Sequence, residues 1–191
     1  MFSIDLTKRY GIMLSGGLDS AVLLYLLISN EPNIQLQPFT IPKFDGAAQY
    51  ADPVIEYINN KFNVSIPKTI LVGNPMAHHR LQSATAVLEI FSKHNIDQLY
   101  IAINKNPTEL LEYPGAPSRA SVSNDARICL PFVNMLKDEI IKILVDNNEL
   151  GLSEITHTCT EQSQGRCGVC WQCTERKWAF SQLNLIDHGL K

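Results

Sequence analysis

A chain of 191 residues that is 45% hydrophobic and 18% charged is long enough to bury its own core and too apolar for a disordered segment. Sixteen Lys and Arg against nineteen Asp and Glu leave a net charge of −3, which argues against a basic field that grips nucleic-acid phosphates, so no DNA partner is expected. Four of the five cysteines crowd into residues 159–173, unlike a secreted disulfide framework; the chain start is polar, and the longest apolar run, Ala21 to Ile28, falls short of the roughly 20 residues a membrane span needs. The expectation is a reducing, cytoplasmic setting with no membrane partner.

Strand and helix signals alternate along the chain. Tyr10 to Leu14 is a short apolar run closed by Ser15-Gly16-Gly17, the pattern of a buried strand. An apolar helix follows over Ser20 to Ile28, with Asp19 or Ser20 as capping oxygen. Ile34 to Thr40 reads as a second strand. Asp52-Pro53 marks a helix start, and Val54, Ile55, Ile58 and Phe62 keep helical spacing behind it. Lys68 to Val72 predicts a third strand, and Ala77 to Phe91 a helix with Leu81, Ala84, Leu88 and Phe91 on one face. Gln98 to Ile103 predicts a fourth strand. From Asn104 to Arg127, prolines, Gly115, serines and asparagines break the pattern; loops of this length in compact domains are usually functional or disordered. Leu130 to Val133 predicts a last short strand, Leu136 to Asn147 an amphipathic helix, Glu154 to Cys173 a loop, and Thr174 to Leu183 a short helix.

This alternation specifies an α/β fold, a parallel sheet with helices on both faces, whose ligands bind at the carboxyl ends of the strands. No linker or repeat interrupts it. Residues 1–191 therefore read as a single domain, with 154–183 a C-terminal subregion within it.

The first strand delivers Ser15, Gly16, Gly17, Leu18, Asp19 and Ser20 to such a site. The two glycines permit a tight turn and close backbone approach to a ligand. The helix that follows offers unpaired N–H groups and a positive dipole end to an anion. Ser15 and Ser20 add hydroxyls, and Asp19 is suited to hold Mg²⁺ beside phosphates. On physics alone, a plain strand–turn–helix connection with capping residues stays open. No G-x-x-x-x-G-K-[ST] sequence occurs in the chain. SGGLDS resembles the SGGxDS loop of the PP-loop ATP pyrophosphatases. The resemblance implies an adenine nucleotide alpha hydrolase-like, Rossmann-like fold. It also implies ATP binding through Ser15 to Ser20 and cleavage between the α and β phosphates, leaving an adenylylated substrate and pyrophosphate.

Near the other end the cysteines are spaced C-x7-C-x2-C-x2-C, as Cys159, Cys167, Cys170 and Cys173. Four thiolates in a short span suit tetrahedral Zn²⁺, and a site closed by four protein ligands is structural. Gly165 and Gly168 allow the turns, and Arg166 favours thiolates. A redox C-x-x-C pair is the alternative. Cys129 stands apart as a small core residue.

The run TCTEQSQGRCGVCWQCTERKWAF resembles the C-terminus of the 7-cyano-7-deazaguanine synthase family, which carries the same cysteine spacing followed by E-R-x-x-A-F, here Glu175, Arg176, Ala179 and Phe180. Tyr113-Pro114 resembles that family's Tyr-Pro segment, and Leu130-Pro131 with Met135 to Ile140 its P-x-x-x-x-T-K-x-E-I element. The chain departs from the pattern at FTIPKFDGAAQY, where the family has a Tyr-Gly-Gln-like stretch, and at Met135-Leu136, where it has Leu-Thr.

The resemblance implies a structural zinc knuckle on the four cysteines and an ATP- and Mg²⁺-dependent carbon–nitrogen ligase. Its expected substrate is 7-carboxy-7-deazaguanine, converted with ammonia to the amide and then the nitrile in queuosine or deazapurine biosynthesis. Asp19 and Lys137 would be catalytic, and Tyr113, Pro114 and Arg119 would bind the acceptor. The oligomeric state stays open, with a homodimer as one option. Other acceptors, as in tRNA sulfur transfer or a synthase-like defence protein acting on a protein or peptide, are the rival readings, with a non-enzymatic zinc module beside them. Outside the resemblance, Lys137 reads equally as a solvated helix-start lysine. His78 and His79 read as surface histidines, Arg119 and Arg127 as loop arginines able to hold an anion, and Trp171 and Trp178 as packing around the knuckle.

Overall fold

The computed structural model of the protein describes residues 3–117 and 125–189. Five strands, β1 (Tyr10–Met13), β2 (Leu36–Thr40), β3 (Ile70–Leu71), β4 (Gln98–Tyr100) and β5 (Ile128–Cys129), form one sheet in the order β3-β2-β1-β4-β5. Every pairing is parallel. Tyr10 pairs with Leu36 on one side and Gln98 on the other, so β1 is central. The chain leaves β1 to build one half of the sheet and returns to β4 to build the other. The crevice of the order switch therefore opens at the carboxyl end of β1.

Strand alternation sorts the side chains into two cores. Tyr10, Ile12, Leu14, Leu36 and Tyr100 join the larger one with helices α1 (Leu18–Asn30), α2 (Ala51–Phe62), α4 (Lys137–Asp146), α5 (Gly151–Glu154) and α6 (Trp171–Gln182). Phe39 and Leu99 face the smaller one with Ala86 and Ile90 of α3 (His79–Lys93). Helices thus cover both faces. Nine of the thirteen residues of α1 are buried, so the helix behind the site is packed on nearly every side. On α2, Val54, Ile55 and Ile58 supply the buried stripe that their spacing predicts; burial of each such side chain contributes about 1.5–3 kcal/mol.

Several boundaries and one face differ from the sequence expectation. Helix α1 begins at Leu18 with Gly17 as an uncapped N-cap, so Asp19 and Ser20 lie inside the first turn and point to the site instead of capping. The buried face of α3 is Gln82, Ala86 and Ile90, not the predicted set; Leu81 is 56% and Leu88 70% exposed. Burial of Gln82 is possible because its Nε2 donates to Pro75 O at 3.0 Å and Ala77 O at 3.2 Å. The last strand lies at Ile128–Cys129, before the predicted segment. There Leu99 N donates to Arg127 O and Ile101 N to Cys129 O, whereas residues 130–135 are turned, with Val133 N on Leu130 O and Met135 N on Phe132 O. Strands β3 and β4 are shorter than predicted, the short α5 falls partly in the predicted loop, and α6 starts at Trp171. Among the described residues no helix is long and apolar enough to cross a membrane.

Candidate functional site

A cavity of about 280 Å³ lies at the carboxyl ends of the central strands, lined among others by Ser15, Gly17, Leu18, Asp19, Ser20 and Lys137. Its size is near the lower end of the roughly 300–1,000 Å³ range of small-molecule sites. The loop on its floor is held by its own hydroxyls. Ser20 Oγ donates to Gly17 O at 3.0 Å and accepts from Ser15 N at 3.2 Å, while Ser15 Oγ accepts from Gly17 N at 3.3 Å and lies 3.1 Å from Ser20 Oγ. Gly16 sits at φ +79°, where a Cβ would lie 2.1 Å from Ala47 O, so only glycine fits. The first turn of α1 follows at once and its residues Leu18, Asp19 and Ser20 line the cavity, so the N–H groups that a helix start leaves without intrahelical partners belong to cavity-lining residues.

Opposite the loop, Lys137 opens α4. Glu139 accepts from the Leu136 N–H at 2.7 Å and fixes the start of that helix. Lys137 is not the solvated helix-start lysine that remained open from sequence. It is 5% exposed, and its Nζ lies 2.7 Å from Asp19 Oδ2 and 3.1 Å from Glu175 Oε2. Burial works to discharge this ammonium, but the Asp19 and Glu175 carboxylates together outweigh it and hold its pKa above the ordinary value. Among the described residues, Asp19 Oδ1 and Thr40 Oγ1 are buried without a hydrogen-bond partner, and both residues line the cavity. His157 also lines it. Its ring stacks on Tyr50 at 4.8 Å and 7°, its backbone N–H donates to Gly16 O at 2.9 Å, and its ring nitrogens have no hydrogen-bond partner among the described residues.

The four-cysteine segment forms the adjoining wall through Cys159, Thr160 and Gln172. The Sγ atoms of Cys159, Cys167, Cys170 and Cys173 all lie within 4.8 Å of one another. Tetrahedral zinc with Zn–S bonds of about 2.3 Å sets its sulfurs about 3.8 Å apart, so this donor set fits one such ion after a small closure. Backbone N–H groups already point at the sulfurs, from Cys167 to Cys159 Sγ at 3.4 Å and from Cys170 to Cys167 Sγ at 3.2 Å. Burial resists ionisation of Cys170, but the backbone N–H groups of Thr160 and Cys173, followed by their side chains, draw its thiol down to about 6. Four sulfurs in one cluster, none in a disulfide, suit a metal better than a C-x-x-C redox pair.

The remaining sequence candidates lie elsewhere. Tyr113 is not among the cavity-lining residues; its hydroxyl donates to Val169 O at 2.9 Å on the knuckle, and its ring is 6.5 Å from that of the buried Trp171. Pro114 is exposed. Arg119 lies outside the described residues, as does the side chain of His79; His78 is exposed. Arg127 pairs with Asp125 and lies over the Phe91 ring at 4.0 Å. Trp178 and Cys129 pack against the larger core.

Sequence reasoning assigned no role to Thr40, His157, Asn104 or Arg176. Glu175 and Arg176 were visible within E-R-x-x-A-F, but a charged residue on a predicted helix carries no local mark of its burial. Arg176 is fully buried, donating to the Thr156 and Thr158 hydroxyls, Ser153 O and the Asp187 carboxylate.

Comparison with known proteins agrees with this geometry. A family model described as "Queuosine biosynthesis protein QueC" matches residues 92–184. The 7-cyano-7-deazaguanine synthase of Nostoc punctiforme is 40% identical over 62 residues, 32% of this chain and 26% of that protein. That of Acetivibrio thermocellus is 34% identical over 61 residues, 32% of this chain and 27% of that protein. The aligned stretch thus spans about a quarter of the length of these curated relatives. Two solved structures share the fold over 94% of this chain: a U34-tRNA thiolase of Methanococcus maripaludis with its [4Fe-4S] cluster (TM-score 0.50, 15% identity, 67% of that chain) and an NMN synthetase of Francisella tularensis (TM-score 0.51, 16% identity, 78% of that chain). The family match covers Lys137, the four cysteines and Glu175, while the SGGLDS loop lies before it. Residues 92–184, just under half of the chain, thus resemble the QueC family, and the curated proteins to which the chain is similar are 7-cyano-7-deazaguanine synthases.

Proposed function

We propose that this chain is an ATP-dependent carbon–nitrogen ligase that adenylylates 7-carboxy-7-deazaguanine and uses ammonia to form the amide and then the nitrile. The carrying observation is the contact between Asp19 of the SGGLDS loop and Lys137 of the family-matched half, 2.7 Å apart in one cavity. The reading takes the chain as one ATPase unit with residues 154–183 as its metal-binding subregion and zinc on the four cysteines.

In this reading the pyrophosphate end of ATP rests on Ser15 to Ser20, where backbone N–H groups and hydroxyls meet its charge. The free Oδ1 of Asp19 suits a hard cation, and Mg²⁺ held there would neutralise charge on the phosphates. Lys137 donates to the phosphates and stabilises the charge that develops on departing pyrophosphate. The acceptor carboxylate attacks the α-phosphorus, the bond to the β-phosphate oxygen breaks, and pyrophosphate leaves. Ammonia then adds to the acyl carbon and AMP departs, giving the amide. A second adenylylation, on the amide oxygen, and loss of AMP with the amide protons give the nitrile. No covalent enzyme nucleophile is needed; the protein positions and stabilises charge. Thr40, Ile41, Lys43 and Asp45, from the segment that departs from the family pattern, also line the cavity, and Lys43 suits a carboxylate.

The test is incubation with Mg-ATP, 7-carboxy-7-deazaguanine and ammonia, with nucleotides followed by chromatography and deazapurines by mass. AMP, pyrophosphate and nitrile are expected. Amide without nitrile would shorten the proposed reaction. Accumulation of ADP would overturn the pyrophosphatase chemistry, and AMP formed only with another carboxylate would overturn the acceptor.

A further inference from the structure

Lys137 sits between two carboxylates, and the two are not equivalent. Asp19 borders the cavity and keeps one oxygen without a partner among the described residues. Glu175 is 1% exposed, does not line the cavity, and has both oxygens engaged: Oε1 accepts from Asn104 Nδ2 at 2.8 Å, and Oε2 faces Lys137 Nζ at 3.1 Å. Asn104 is itself 1% exposed, and the same amide nitrogen donates to Lys105 O, so the support for Glu175 is anchored in turn. The next residue on α6, Arg176, is fixed by Ser153, Thr156, Thr158 and Asp187, which holds the helix that carries Glu175.

We propose that Glu175, steadied by Asn104, is the permanent counter-charge and positioning residue of Lys137, and that Asp19 is its exchangeable partner, released to the ligand when the cavity fills. The proposal rests on the reading that the cavity takes a magnesium nucleotide. Its physical basis is the cost of stranding a buried charge. With Asp19 as the sole counter-charge, turning that carboxylate to a divalent cation would leave the ammonium alone in the protein. With Glu175 behind it, Lys137 keeps a partner, stays in place, and directs its remaining N–H groups into the cavity. Asp19 is then free to change hands at little cost.

Two measurements test this. The first is thermal unfolding of the zinc-loaded protein without nucleotide. Glu175→Gln should lower the midpoint by about 10 °C, as breaking a buried pair does in a chain of this size, and Asp19→Asn by less than about 3 °C. Adding Lys137→Met to Glu175→Gln should recover most of that loss, since no charge is left stranded. Equal losses from the two acid variants, or no recovery in the double variant, would overturn the proposal. The second is Mg-ATP binding by calorimetry at a temperature where all variants are folded and zinc-loaded. Glu175→Gln should raise the Mg²⁺ concentration for half-maximal binding about tenfold, because Lys137 then retains Asp19. Asn104→Ser should move it the same way by a smaller factor and serves where Glu175→Gln fails to fold. A merely structural Glu175 would leave the Mg²⁺ requirement unchanged, which would also overturn the proposal. Failure of the unaltered protein to bind Mg-ATP would instead overturn the functional reading, and the unfolding series would still decide the counter-charge.

Discussion

Residues 15–20 and residues 159–173 both border the cavity, but what holds each in shape differs. The loop is closed by hydrogen bonds among Ser15, Gly17 and Ser20 and backed by a buried helix. In the knuckle the bonds converge on sulfur: the Cys167 N–H points at Cys159 Sγ, and those of Val169 and Cys170 at Cys167 Sγ. Its cysteines converge to within 4.8 Å, and Cys167, Cys170 and Val169 are partly or largely exposed. The first region owes its shape to glycine geometry and packing. The second gathers thiols that repel one another once ionised, and an ion at the centre would offset that repulsion. The lesson is that one wall of a cavity can be closed by its own hydrogen bonds while the other is arranged as a donor set for an ion.

The sharpest way to break this comparison is to remove the metal. Chelation, or Cys173→Ser, should destabilise the chain by about 5 kcal/mol or more, since structural zinc binding is coupled to folding. Hydrogen exchange should show α6 and residues 159–170 losing protection first, while α1 stays protected. Cys129→Ser should keep the zinc. Elemental analysis checks the metal directly; absence of zinc, or iron–sulfur absorbance, would remove the assignment. Next in size is Asp19→Asn. It should leave zinc and fold intact and lower AMP formation about 10²- to 10³-fold, or roughly 2.7–4 kcal/mol of transition-state stabilisation; unchanged turnover would reduce Asp19 to a structural group. Gly16→Ala probes the pre-formed side. At φ +79°, with Ala47 O in the way, it should cost about 1–3 kcal/mol in denaturant unfolding and weaken nucleotide binding, with zinc content unchanged. The smallest effect is expected from Tyr113→Phe, which deletes the bond to Val169 O and should cost about 0.5–1.5 kcal/mol, seen as faster zinc loss to a chelator and not as a change in ATP binding.

Much of this contrast was legible in the amino-acid order because both regions rest on local rules. Ser-Gly-Gly after an apolar run, and four cysteines at short intervals, are short-range patterns. What stayed hidden depends on distant partners. Lys137 finds Asp19 118 residues away, and no local feature distinguishes a buried lysine from a solvated one. Glu175 was visible as a motif letter, but its bond to Asn104 spans 71 residues. The face of α3 was misread because Leu81 and Leu88 look like core at helical spacing. The real stripe includes a glutamine, whose amide finds two carbonyls in the turn before the helix. The last strand was placed too late because Leu130 to Val133 is apolar enough to suggest one, while Pro131 lacks the N–H that a ladder requires.

The placement of the indoles has a practical outcome for spectroscopy. The chain has two tryptophans, and both ride on α6: Trp171 at its first residue, buried beside the knuckle, and Trp178 two turns on, against the larger core. Intrinsic tryptophan emission is therefore a reporter of one helix. A titration with chelator should quench or red-shift it while the far-ultraviolet circular dichroism of the remaining helices persists. Emission and dichroism should then trace separate curves, and a midpoint read from fluorescence alone would describe the loosening of α6, not the melting of the sheet.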